Sequence, residues 1–175
     1  MPTPTYVALA KTVLTTTQTN IDFTSIPSTY NDLVLQISSR GSNSQTYAYV
    51  YCQINANTGS VYTSTFLSGD SSTASSSRQS PAQTNIDLGI STGNSATANT
   101  FGSIEAYFPS YTSSANKIIS TTAANENNSS TAGASYLRTY ACLVQDTNPI
   151  TSIRVIAQST FASGSRFDLY GIKNS

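Results

Sequence analysis

The chain has 175 residues, a formal net charge of zero and no histidine, with 9% charged and 38% apolar residues. Its length fits one domain that buries its own core. The eight basic residues are scattered, which leaves no basic track for nucleic acid or an anionic membrane, and no apolar run reaches the roughly 18 residues that span a bilayer.

Residues 1–5 alternate Pro and Thr around Pro2 and Pro4. A fixed φ and a missing amide donor keep such a segment out of an ordinary ladder, so it reads either as an extended arm or as a frayed terminus. Met1-Pro2 reads as a native start, and without a basic n-region no signal peptide is expected. Tyr6 to Leu14 reads as a first strand, with Val7, Leu9 and Val13 on one face. Ile21 and Phe23 alternate until Ile26-Pro27 ends the run. Leu33, Leu35 and Ile37 then form an inward face opposite Val34, Gln36 and Ser38, and Arg40 to Ser44 is a turn.

Tyr47 to Ile54 is a distinct strand. Ala48, Val50, Cys52 and Ile54 share one face, and Tyr47, Tyr49, Tyr51 and Gln53 share the other. Two readings stay open: the tyrosines clad the outside of a sandwich, or they meet a subunit or partner. Val61 to Leu67 is the next strand. Ser68 to Asn85, the longest polar stretch, reads as a loop, and loops of this length in compact domains tend to be functional or mobile. Ile86, Leu88 and Ile90 make another inward face, and a loop covers 91–100. Phe101 to Phe108 is a strand stopped by Pro109.

Lys117 to Ala123 is a weaker strand carrying Ile118 and Ile119. The Asn-rich loop 124–134 holds overlapping N-x-S patterns at Asn127 and Asn128, of a kind common by chance. Tyr136 to Val144 places Leu137, Ala141 and Leu143 on one face and Tyr136, Arg138 and Tyr140 on the other. Two final alternating runs, Ile153 to Gln158 and Arg166 to Tyr170, flank the small turn Ala162-Ser163-Gly164-Ser165 and read as a long closing hairpin.

No stretch shows sustained helical spacing, so the chain is expected to be all-β. About nine to eleven short strands without crossover helices point to an antiparallel β-sandwich, jelly-roll-like, over residues 6–175 behind an arm at 1–5.

Reactive sets are hard to assemble. Without His, the commonest general base and the usual activator of Ser or Cys are missing. Asp87 and Glu105 both fall on strand-like runs and could in principle pair for glycoside hydrolysis, but isolated surface carboxylates are the preferred reading. Cys52 and Cys142 read as small buried hydrophobes rather than as a disulfide, and neither has metal-ligand spacing. The expectation is a protein without enzymatic activity, cofactor or metal.

The segment Ile21 to Gly41, IDFTSIPSTYNDLVLQISSRG, resembles the N-terminal part of small β-sandwich structural proteins of tailed bacteriophages. The ending Ser152 to Lys173, SIRVIAQSTFASGSRFDLYGIK, is similar to the terminal hairpin of the same group. The resemblance implies a virion component, first of all a capsid decoration (cement) protein that binds the outer shell, and alternatively a tail-fibre or receptor-binding domain that contacts host-surface glycans. It also implies a homo-oligomer, commonly a trimer, with the major capsid protein as partner, a place on the capsid surface and assembly in the bacterial cytoplasm. Pro2, Pro4, Tyr47, Tyr49, Tyr51, Tyr136 and Tyr140 are the expected interface residues, with loops 68–85 and 124–134 facing outward.

Overall fold

In a computed structural model the chain is a sandwich of two sheets, described over residues 5–70, 72–128 and 133–173 and, for side chains, without 80–82. Pro2 and Pro4, and with them most of the expected arm, lie outside the described residues.

There are twelve strands among the described residues: β1 (Tyr6–Val13), β2 (Gln18–Phe23), β3 (Asp32–Ser39), β4 (Tyr47–Ile54), β5 (Tyr62–Asp70), β6 (Ala74–Gln83), β7 (Ile86–Thr92), β8 (Gly102–Phe108), β9 (Lys117–Asn125), β10 (Tyr136–Val144), β11 (Ile153–Phe161) and β12 (Arg166–Ile172). The large sheet runs β1-β12-β3-β8-β9-β10-β5-β6 and the small one β2-β11-β4-β7. Every strand pairing in both sheets is antiparallel. The all-β, antiparallel sandwich follows from period-two patterning that gives most strands one apolar face.

The core lies between the sheets. Leu33, Leu35 and Ile37 of β3 face Val50, Cys52 and Ile54 of β4 within one buried cluster with Ile104, Phe108, Val155 and Phe167. Burying each large side chain of this kind contributes roughly 1.5–3 kcal/mol.

Four expectations change. The closing segment is not a hairpin, because β11 pairs with β2 and β4 in the small sheet while β12 pairs with β1 and β3 in the large one. The turn at 162–165 is therefore an arch between sheets, tied to the end of β1 by Gly164 N donating to Leu14 O (2.8 Å) and Leu14 N to Ser165 O (2.9 Å). A β-bulge at Ala8/Ala10 shifts the parity of β1, so Val13 points out and is 50% exposed. The polar stretch 68–85 contains β6, an edge strand folded back on β5 around Asp70, whose Oδ1 accepts from the Ser72 and Thr73 amides. A backbone ladder makes a Ser-rich strand without any apolar face, and Pro81 is tolerated there because β6 is an edge.

The fourth concerns Asp87 and Glu105, which are isolated from each other as preferred, but only one of them is on the surface. Asp87 is buried on β7, on the side that carries Tyr51, whereas Glu105 is exposed on the outer face of the large sheet, where Gln36 Nε2 donates to it. The cysteines are free thiols buried in the core, as the preferred reading had it. Burial pushes both thiols up, Cys142 to about 12, which keeps them protonated and unreactive. Asn127 is also buried, its amide donating to Ala134 O, so this N-x-S pattern is closed to modification in the folded chain.

Candidate functional site

The candidate site grows out of the mismatch in sheet width. The small sheet ends at β7, which packs on β8, β9 and β10, while the large sheet continues beyond β10 with β5 and β6. At β7 the sheets also pinch: its Cα atoms come within 8 Å of β8, β9 and β10, closer than the ~10 Å of ordinary stacked sheets. Gly89 permits this. A Cβ there would sit 2.4 Å from Ala123 Cβ, and its φ of +154° is one that other residues rarely adopt. A bulge in the β4–β7 ladder accompanies it, and every residue of β7 is buried.

The pinch joins the outer side of β4 and β7 to the inner side of the overhang. Tyr47, Tyr49 and Tyr51 alternate with the core face of β4, so they point outward and are half-buried. Tyr136, Arg138 and Tyr140 are on the inner side of β10, in phase with buried Cys142 and Val144. The two rows meet. Tyr47 packs edge to face on Tyr136 at 5.2 Å between centroids and on Tyr49 at 5.6 Å, and Tyr49 stacks on Tyr51 at 6.2 Å. The Arg138 guanidinium sits 4.8 Å from the Tyr136 ring centre, 5.0 Å from that of Phe66 and 5.7 Å from that of Tyr49. Each such contact adds about 0.5–2 kcal/mol. Arg138 also donates from Nε to Ser68 Oγ (2.9 Å) and from Nη1 to Tyr140 Oη (3.4 Å).

Beneath the rings lies Asp87, opposite Tyr51 in the β4–β7 register and 1% exposed. Burial raises its carboxyl to about 6, partly offset by the Arg138 charge. Burial, with the Asp87 charge behind it, also raises Tyr51, and burial pushes Tyr140 up to about 12. Both phenols therefore stay neutral at physiological pH and can donate as well as accept hydrogen bonds.

Thus the five tyrosines singled out in the sequence come together, although β4 and β10 are far apart in the chain and belong to different sheets. Tyr140 is 2% exposed, already covered within a single chain. Phe66 and Asp87 were not anticipated as members. Asp87 carried a signal, since a charged residue between Ile86 and Leu88 interrupts an otherwise apolar run.

The opposite side of the overhang has a different character. Leu67, Leu137 and Ile118 are 61%, 63% and 55% exposed on the outer face of the large sheet. Leu67 pairs with Thr139 and Leu137 with Gly69, which makes the two leucines diagonal neighbours across β5 and β10. An open depression of about 550 Å³ lies over them and is also lined by Thr122 and Thr139. No group of three or more potential metal ligands occurs among the described residues.

No family model matches the chain, and no curated protein matches it. Among solved structures it is similar to the Caenorhabditis elegans galectin LEC-6, with 9% identity over 94% of this chain and 96% of that chain and a TM-score of 0.36. A likeness of that degree carries no inference about what this chain binds.

Proposed function

We propose that this chain is a phage virion structural protein that works by contact, a capsid decoration protein seated on the major capsid protein by the outer face of its large sheet. The observation that supports it is the exposure of Leu67 and Leu137, diagonal neighbours across β5 and β10, with Ile118 exposed farther along the same outer face opposite Leu143. Clustered large aliphatics with little charge around them mark interaction surfaces, because covering them removes apolar area from water. Burying each leucine contributes roughly 1.5–3 kcal/mol, so the pair can anchor a contact that repeats over a shell, with Ile118 as a separate outlying point. The sequence resemblance to phage β-sandwich proteins points the same way, and the trimer is part of this reading.

The experiment mixes purified protein with expanded, undecorated capsids and measures bound protein by sedimentation. Saturable binding that is lost in a Leu67→Lys/Leu137→Lys double variant is the expected result. Absence of binding by the unaltered protein sinks the proposal. A second reading, a tail-fibre or receptor-binding domain that contacts host glycans, is favoured by one specific feature, the half-exposed tyrosine row around Arg138.

A further inference from the structure

Five buried side-chain polar atoms among the described residues have no hydrogen-bond partner: Asn43 Oδ1, Asp87 Oδ1, Thr92 Oγ1, Thr121 Oγ1 and Asn125 Nδ2. Four of them lie on the seam under the tyrosines. Asp87 is opposite Tyr51 and Thr92 opposite Tyr47 across β4–β7. Thr121 is opposite Tyr140 and Asn125 opposite Tyr136 across β9–β10. A buried polar atom without a partner is disfavoured by about 1–3 kcal/mol, so four along one seam are not a packing accident.

We propose that this seam, roofed by Tyr47, Tyr49 and Arg138, is a binding site for a neutral saccharide. The inference rests on the second, glycan-contacting reading and gives it a location and a ligand class.

The chemistry of the atoms selects the ligand. Asp87 Oδ1 accepts, Asn125 Nδ2 donates, and the two threonine hydroxyls do either. A partner must therefore offer donors and acceptors at several points, as a run of sugar hydroxyls does. The half-buried tyrosine rings present flat apolar faces that suit the C–H face of a pyranose. Charge argues against an anion, because Asp87 lies under the rings and Asp70 stands opposite Tyr136 across β5–β10. It argues against a cation too, because the Arg138 guanidinium stays beside the rings as a like charge wherever it turns.

Arg138 is also the movable part. It makes no salt bridge among the described residues, and its two side-chain hydrogen bonds go to neutral hydroxyls. Displacing it opens the seam and turns its fork of donors toward the ligand. The neighbouring strands β5 and β6 extend the lining with Ser68, Ser75 and Ser77, which share the inner face in the β5–β6 register.

The test is titration calorimetry of the full chain against maltohexaose, cellohexaose, chitohexaose and, as an acidic arm, sialyllactose. Saturable binding of at least one neutral oligosaccharide is expected. Tyr49→Ala weakens it about tenfold, the equivalent of one lost ring contact, and the near-isosteric Asp87→Asn weakens it severalfold while leaving the circular dichroism spectrum unchanged. Leu67→Lys, on the opposite face, changes nothing. Binding of sialyllactose alone overturns the ligand class. Binding that survives Tyr49→Ala and Asp87→Asn but is lost in Leu67→Lys overturns the site and leaves the glycan reading standing. Absence of all saccharide binding overturns both, and capsid binding is judged separately.

Discussion

Phe161 and Phe167 meet edge to face with ring centroids 4.8 Å apart, although one ends a strand of the small sheet and the other begins a strand of the large one. The arch 162–165 between them turns the chain from layer to layer, and both rings are buried. Their contact closes that end of the sandwich where a hairpin would have left both rings on one sheet.

Phe167→Ala is accordingly expected to lower stability by about 3–5 kcal/mol, through lost burial and the cavity left behind. Urea denaturation gives the value. If the arch were only a loose surface turn, the loss would stay below about 1 kcal/mol.

Gly89 makes a second expectation specific. Gly89→Ala meets both an unfavourable φ and the Ala123 methyl group, and a loss of about 2 kcal/mol or more is expected. Adding Ala123→Gly relieves the collision but not the φ, so the double variant should recover part of the loss. Full recovery, or none, in a double-mutant cycle would refute the account of the pinch.

Asp87 sets a pH dependence of known sign. Its carboxyl is raised in the folded state to about 6 from an ordinary value of 3.8, so the folded protein holds that proton more tightly than the unfolded chain. The stabilisation is complete below pH 4 and is lost as pH rises through about 6. Arg138 opposes the shift from β10, and Tyr51, Tyr140 and Cys142 face the carboxylate as neutral groups. Asp70, Glu126 and Asp146 are held below the ordinary carboxylate range by hydrogen bonds and act in the opposite sense, so the wild-type curve alone is a mixture. The difference between wild type and Asp87→Asn isolates the one group. It should widen in favour of the variant from acid to pH 8, by on the order of 2–3 kcal/mol. A flat difference in chemical denaturation across that range contradicts the buried carboxylate.

Arg40 organises the loop after β7. It is buried, and its guanidinium donates to Asn94 O, Ala96 O, Thr97 O and Thr100 O at 2.9–3.0 Å. A planar fork of five donors reaches four carbonyls at once, which a lysine ammonium does not. Arg40→Lys should cost about 2 kcal/mol and Arg40→Met somewhat more, since the carbonyls would lose charge-assisted bonds. Limited proteolysis should then cut within 94–100. Resistance of that loop in both variants would argue that something else holds it.

Much of the fold was legible because period-two patterning is a local property. Tyr47–Ile54 reads the same in sequence and structure, core face included, and so does the inward face of β3. The edge strand β6 was illegible for the opposite reason: what makes it a strand is the ladder with β5, and its Ser-rich residues advertise nothing. Val13 was misplaced by the bulge in β1, which shifts parity and leaves no mark in composition.

The amino-acid order by itself determined an all-β chain, the strand faces with one strongly apolar side, and two rows of tyrosines available for contact. Tertiary structure alone decided which layer each strand joins, because a strand of either sheet has the same period and the choice is made by the partners it meets. It alone decided that β10 turns Tyr136, Arg138 and Tyr140 inward and leaves Leu137 in the open, since both of its faces are apolar enough to be buried. By letting the large sheet run past β7, it also set those tyrosines against the row on β4, over a carboxylate that no local pattern could have paired with them.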